Sequence, residues 1–99
     1  MSYVVLSSKP GIFRTEPGPG LVPVEAWEYH FDGRVRARFV IARLDDEGRV
    51  DIIEETPPYG VNRIRTKFLP HHPDLTTARA DIEQLTHGPG SARLTPAPL

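Results

Sequence analysis

Trp27, Tyr29 and Phe31 alternate along V-E-A-W-E-Y-H-F, and Arg34, Arg36 and Arg38 alternate along the run that follows. Aromatic rings interleaved with guanidinium groups can stack bases and hold phosphates, as single-strand binding platforms do. Tyr, Trp and Arg are also the residues enriched at the hot spots of protein interfaces. A third use needs no ligand: arginines laid across the rings as cation–π partners shield them from water. All three uses require the six side chains to share one face of a sheet.

The elements that would put them there are legible. Asp32-Gly33 separates two alternating runs, and a tight type I′ hairpin turn needs positive φ at both of its central residues. A two-residue turn fixes the register. It predicts Phe31 opposite Arg34, Tyr29 opposite Arg36 and Trp27 opposite Arg38, all on one face because side chains alternate along a strand. The polar connection at residues 45–48 suits a second hairpin, and residues 49–56 a third strand. In that meander Glu55 would neutralise Arg38, with Glu25 and Asp51 on the same face. The other face carries Ala26, Val35, Ala37, Phe39, Ile41, Val50 and Ile52, and is the expected core face.

Residues 61–68 alternate again, with Arg63, Arg65 and Lys67 on one side, and read as a fourth strand. Such a basic row belongs to an edge, where charge prevents pairing with another sheet. Residues 3–6 add a short strand. Residues 7–23 hold four prolines and three glycines and predict an ordered irregular loop pinned by Ile12, Phe13, Leu21 and Val22. Asp74 is a good N-cap. Leu75, Ala78, Ile82 and Leu85 recur at helical spacing, and Gly88 with Pro89 stops the helix. The fold class expected is α+β: an antiparallel meander of four to five strands with one C-terminal helix packed on one face. Residues 1–88 would form the single domain and residues 89–99 a flexible, proline-rich tail.

Other chemistry finds little footing. Without cysteine there is neither a disulfide nor a thiolate. His71 and His72 are adjacent in an extended link and would point apart, and no H-x-x-x-H or H-E-x-x-H spacing exists, so no metal site is expected. His30 falls on the core face near Glu28, where it is either a hydrogen-bonded structural imidazole or a titrating one. Glu28 and Glu54 would share a face with one strand between them, about 10 Å apart. That distance admits a glycosidase-like pair, but a small domain offers it little cleft. Ser7 and Ser8 have no identifiable base. Gly18-Pro19-Gly20 lacks the strand and helix that frame a phosphate-cradling turn.

Ninety-nine residues at a formal charge of −1 make one domain without the basic excess of a dedicated nucleic-acid binder. No apolar run approaches the roughly 20 residues of a membrane helix, and the N-terminus lacks a signal-peptide pattern. The composition therefore predicts a cytoplasmic protein with no membrane partner. Ten of its twelve cationic residues are arginine, which suggests a GC-rich bacterial source. The function expected is a non-enzymatic binding or accessory protein, a small subunit of a larger assembly or a homo-oligomer, without a cofactor. Its contact surface would be Trp27, Tyr29, Phe31, Arg34, Arg36, Arg38, Arg63, Arg65 and Lys67. RNA or nucleotide binding through the same face is the alternative, and an enzyme built on His30 and nearby carboxylates the third.

Overall fold

The computed structural model describes residues 1–87 and 92–99. In chain order these form β1 (Ser2–Ser8), β2 (Phe13–Pro17), β3 (Leu21–Phe31), β4 (Arg34–Leu44), β5 (Arg49–Glu54), β6 (Val61–Arg65), a 3-10 turn (Thr66–Phe68), α1 (Leu75–Leu85) and β7 (Arg93–Ala97). One sheet has the order β1-β4-β3-β7 and the other β2-β5-β6, every pairing antiparallel. The fold is α+β, with the C-terminal helix on the first sheet. Two cores result. Val4, Leu6, Leu21, Ala42, Leu44 and Val50 fill the space between the sheets, and Ala37, Phe39 and Ile41 pack under Ala78 and Ile82 of α1.

The Asp32-Gly33 turn forms as its sequence requires, with φ of 52° and 71°. Phe31 pairs with Arg34 and His30 with Val35, but Tyr29 then pairs with Ala37. Arg36 is the extra residue of a β-bulge. A slip of one residue exchanges the faces. Trp27 lies opposite Phe39, and Glu28 opposite Arg38. The six-residue aromatic–arginine face is therefore not formed. Trp27 and Tyr29 turn inward under α1 with Phe39 and Ile41, while Arg38 faces the other way and meets Glu28 at 3.8 Å. Burying a large apolar side chain stabilises by about 1.5–3 kcal/mol, which offsets one unpaired ladder position.

The third strand does not join the meander. β5 lies between β2 and β6 in the second sheet, so Arg38 does not face Glu55, and Glu28 and Glu54 stand in different sheets. The cause is in the β4–β5 connection. Gly48 packs against the Pro19 carbonyl, and the fully buried Thr66 binds the Gly48 backbone on both sides. Gly48 N donates to Thr66 Oγ1 at 3.0 Å, and Thr66 N donates to the Gly48 carbonyl at 2.9 Å. These bonds turn the chain away from β4. The partner that β5 gains comes from the segment read as a loop: Phe13–Pro17 is β2, an edge strand whose proline lies at its end.

Asp74 caps α1 by accepting from Thr77 N at 2.7 Å, which holds its carboxyl below the usual carboxylate range. Ala78 and Ile82 are buried, but Leu85 is 62% exposed. The stripe runs on while the floor beneath it ends. Gly88 and Pro89, expected to stop the helix, lie outside the described residues. Residues 93–97, expected in a flexible tail, are β7, paired with β3 from Ala26↔Ala97 to His30↔Arg93.

A clamp ties helix to sheet. Arg79 donates to both oxygens of Glu25, at 2.7 and 2.6 Å, and the Trp27 indole N–H donates to the same carboxylate at 2.6 Å. The Arg79 hydrogen bonds hold the Glu25 carboxyl below its ordinary value, against the opposing effect of burial. A carboxyl depressed by folding stabilises the native state above its unfolded value and loses that contribution as pH falls through the folded one. Glu25→Gln should therefore be less stable than the parent at pH 7. The gap between their melting temperatures should close as the pH is lowered below the unfolded carboxylate value of roughly 4.3. A gap independent of pH would mean that the charge of Glu25 contributes nothing.

Candidate functional site

Among the described residues the first sheet has an open end. β1 pairs with β4 from Ser2↔Leu44 to Ser8↔Arg38 and then turns away. Lys9 N donates to the Phe13 carbonyl at 2.9 Å and Ile12 N to the Lys9 carbonyl at 3.0 Å, closing a tight turn into β2. β4 continues past that point to the hairpin tip. Residues 34–37 consequently have no strand beside them on the β1 side, among the described residues.

A cleft of about 670 Å³ occupies this end, a size typical of ligand pockets. Tyr29, Ala37 and Phe39 contribute from the sheet, Ile12 and Phe13 from the β1–β2 turn, and Leu85 from the last turn of α1. Ile12 and Leu85 are both more than half exposed. Lys9, Arg34 and Arg36 bring positive charge to the same cleft, and no acidic residue lines it among the described residues. None of these three cations is in an ion pair among the described residues. Arg14, Arg38, Arg43, Arg63 and Arg79 have carboxylate partners; Arg49, Arg65, Lys67 and Arg93 have none among the described residues, but none of those four lines this cleft. The arrangement can hold a group with an apolar body and a negative charge.

Of the nine residues singled out in the sequence, the structure brings three into this cleft: Tyr29, Arg34 and Arg36. Phe31 lies next to it, with the Arg36 guanidinium 5.9 Å from its ring centre. Trp27 is under α1 beside Arg79, Ile82 and Leu94. Arg38 is on the opposite face, where it also donates to the Pro98 carbonyl at 2.6 Å. Arg63 pairs with Asp51 on the outer face of the second sheet, at 3.4 Å. Arg65 borders a shallow hollow with Arg49 and Glu47, and Lys67 sits 5.1 Å from the Phe68 ring centre. Sequence reasoning missed Lys9, Phe13 and Leu85 as neighbours of the cleft. The signal for the first wall was present, in two apolar residues, Ile12 and Phe13, inside a polar turn.

His30 lies apart from the cleft. Its Nε2 is 3.1 Å from Thr95 Oγ1 and 3.8 Å from Glu28, an imidazole held between β3 and β7. His71 Nε2 donates to the Thr66 carbonyl at 2.7 Å. His72 is mostly buried, its Nε2 3.2 Å from Asp81 without hydrogen-bond alignment. Among the described residues no three histidine or carboxylate side chains converge as metal ligands would, and no helix is long and apolar enough to cross a membrane. No family model, curated protein or solved structure matches the chain, so its geometry is what a functional reading rests on.

Proposed function

We propose that the protein is a non-enzymatic binding or accessory module that takes an apolar, acidic part of a partner protein into this cleft. The observation that carries the reading is the set of unpaired cations, Lys9, Arg34 and Arg36, around an apolar floor without any lining acid. Most exposed cations are solvated singly and need no partner. Three of them beside half-exposed Ile12 and Leu85 form a surface with matching apolar and electrostatic demands.

Nucleotide binding is the second reading, because Tyr29 remains together with Arg34 and Arg36. It loses Trp27 as a stacking ring and Arg38 as a phosphate contact, and Arg63 is engaged by Asp51.

An anionic, apolar-bodied probe, anilinonaphthalene sulfonate, tests the cleft directly. We expect saturable binding with NMR shifts at Ala37, Phe39 and Leu85, weakened by Arg36→Glu and by Leu85→Glu. Both side chains are exposed, so both variants should fold. Binding that ignores both substitutions would reject the cleft as the site. A parallel titration with single-stranded RNA at two salt concentrations separates the readings, since phosphate contacts release counterions and make affinity fall steeply with salt. Tight, salt-sensitive binding would put the nucleotide reading first.

A further inference from the structure

The cleft has a wall that side chains do not explain. Residues 34–37 of β4 lie beyond the last β1 pair, Ser8↔Arg38, so one side of that stretch has no strand beside it among the described residues. In an antiparallel sheet alternate residues turn both N–H and C=O to the same neighbour. The bare side of this stretch therefore presents donors and acceptors with no ladder partner among the described residues. Three other edges are blunted: β2 ends in Pro17, β7 contains Pro96, and the outer edge of β1 is met by a backbone bridge from Tyr3 to His72, while the β6 edge is protected by the charges of Arg63 and Arg65. Proline and a covering segment are usual ways of closing an edge. Among the described residues nothing of that kind closes residues 34–37. Their own charges, Arg34 and Arg36, repel a basic strand and attract an acidic one.

We infer that an extended acidic segment of another protein adds to β4 here, continuing the line of β1 and forming a short fifth strand of the first sheet. This inference rests on the cleft being the binding site. It adds the mode of binding and the sequence chemistry of the occupant. A residue opposite Ala37 would project on the same side as Ala37, onto Phe39 and below Leu85, and should be apolar. The residue two positions away projects on that same side. It would meet Arg34 and Arg36, and should be aspartate or glutamate. Main-chain pairing supplies affinity in this mode, and the alternate pockets supply specificity. The recognised feature is an apolar side chain and a carboxylate two residues apart in an extended segment.

The test uses blocked octapeptides with leucine and glutamate two positions apart in either order and threonine elsewhere, titrated into the full chain by calorimetry. Two further sets carry N-methyl groups on the odd-numbered or on the even-numbered backbone nitrogens. The unmethylated peptide in one order should bind, and Arg34→Glu/Arg36→Glu should weaken it by about tenfold or more, since two attractions become repulsions. N-methylation in one of these two sets, the one whose methylated nitrogens face β4, should abolish binding by removing the ladder donors. Amides within residues 34–37 should become protected from hydrogen exchange in the complex. Binding of both methylated sets as tight as that of the unmethylated peptide would overturn strand addition and leave the cleft reading standing. Peptides that fail in both orders while the naphthalene sulfonate still binds would overturn the inference alone. Failure of both probes would overturn the inference together with the reading beneath it.

Discussion

Ile82→Ala should cost about 2–5 kcal/mol of stability, whereas Leu85→Ala should stay within about 0.5 kcal/mol. Both leucine-sized side chains fall on the apolar stripe of α1, and sequence spacing alone ranks them equally. The structure does not. Ile82 is 1% exposed and packs on Phe39 and Ile41, where deletion leaves a cavity between two rigid layers. Leu85 is 62% exposed and overhangs the cleft, where deletion leaves only solvent. Chemical denaturation of both variants measures the difference. Equal losses would mean that the last turn of α1 is docked and that the cleft is closed in solution. The outcome therefore bears on the binding site as well as on the helix, since the cleft exists because the sheet below Leu85 has ended.

Local signals in the sequence were reliable, and pairings that depended on distant residues were not. The Asp32-Gly33 turn, the Asp74 cap and the apolar positions Ala78 and Ile82 all stand where their chemistry requires. Each depends on residues within one turn or one hairpin. The face of Trp27 and Tyr29 depended on the whole register of β3 against β4. One bulge residue, Arg36, was enough to invert it. Nothing in R-V-R-A-R marks a bulge. What favours it is the burial of Trp27 and Tyr29 beneath α1, a partner some 50 residues away in the chain.

The second sheet was hidden for a related reason. A hairpin with β4 was the nearest pairing for β5, and loop closure favours near partners. The winning partner, β2, lay in a segment whose prolines and glycines resembled a loop, although Phe13–Pro17 between them alternates. The same feature explains why the cleft was illegible. Its walls come from the β1–β2 turn, the hairpin tip and the end of α1; the hairpin and the helix are legible as elements, but not the β1–β2 turn or the exposure of Leu85. The alternation of the sequence places Arg34, Arg36 and Tyr29 on a face that does not form, yet they remain together because they flank the same tight turn.

Gly48→Ala should destabilise the protein by about 3 kcal/mol, near the upper end for an overpacked site. No left-handed backbone is involved, since Gly48 is not among the glycines with positive φ. The cost is steric. A Cβ at position 48 would stand 2.2 Å from the Pro19 carbonyl oxygen and 3.0 Å from Leu21 Cδ1. The oxygen is main chain and has little freedom to yield, because Gly18 N donates to the Arg49 carbonyl at 2.9 Å and Asp45 N to the Gly20 carbonyl at 3.2 Å. Gly48 cannot yield easily either, being held by Thr66 through its N–H and its carbonyl. This junction is where the chain leaves the first sheet for the second, so a shift there also disturbs Leu21 and Val50 in the core between them. Gly33→Ala is the useful comparison: its φ is 71° with nothing within 4 Å of the added carbon, so it should show only the roughly 1–2 kcal/mol penalty of a left-handed residue. Denaturant midpoints of the two variants decide the matter. A Gly48→Ala loss no greater than that of Gly33→Ala would mean that the Pro19 segment slides freely, and that Thr66 and Gly48 do not fix the angle between the sheets.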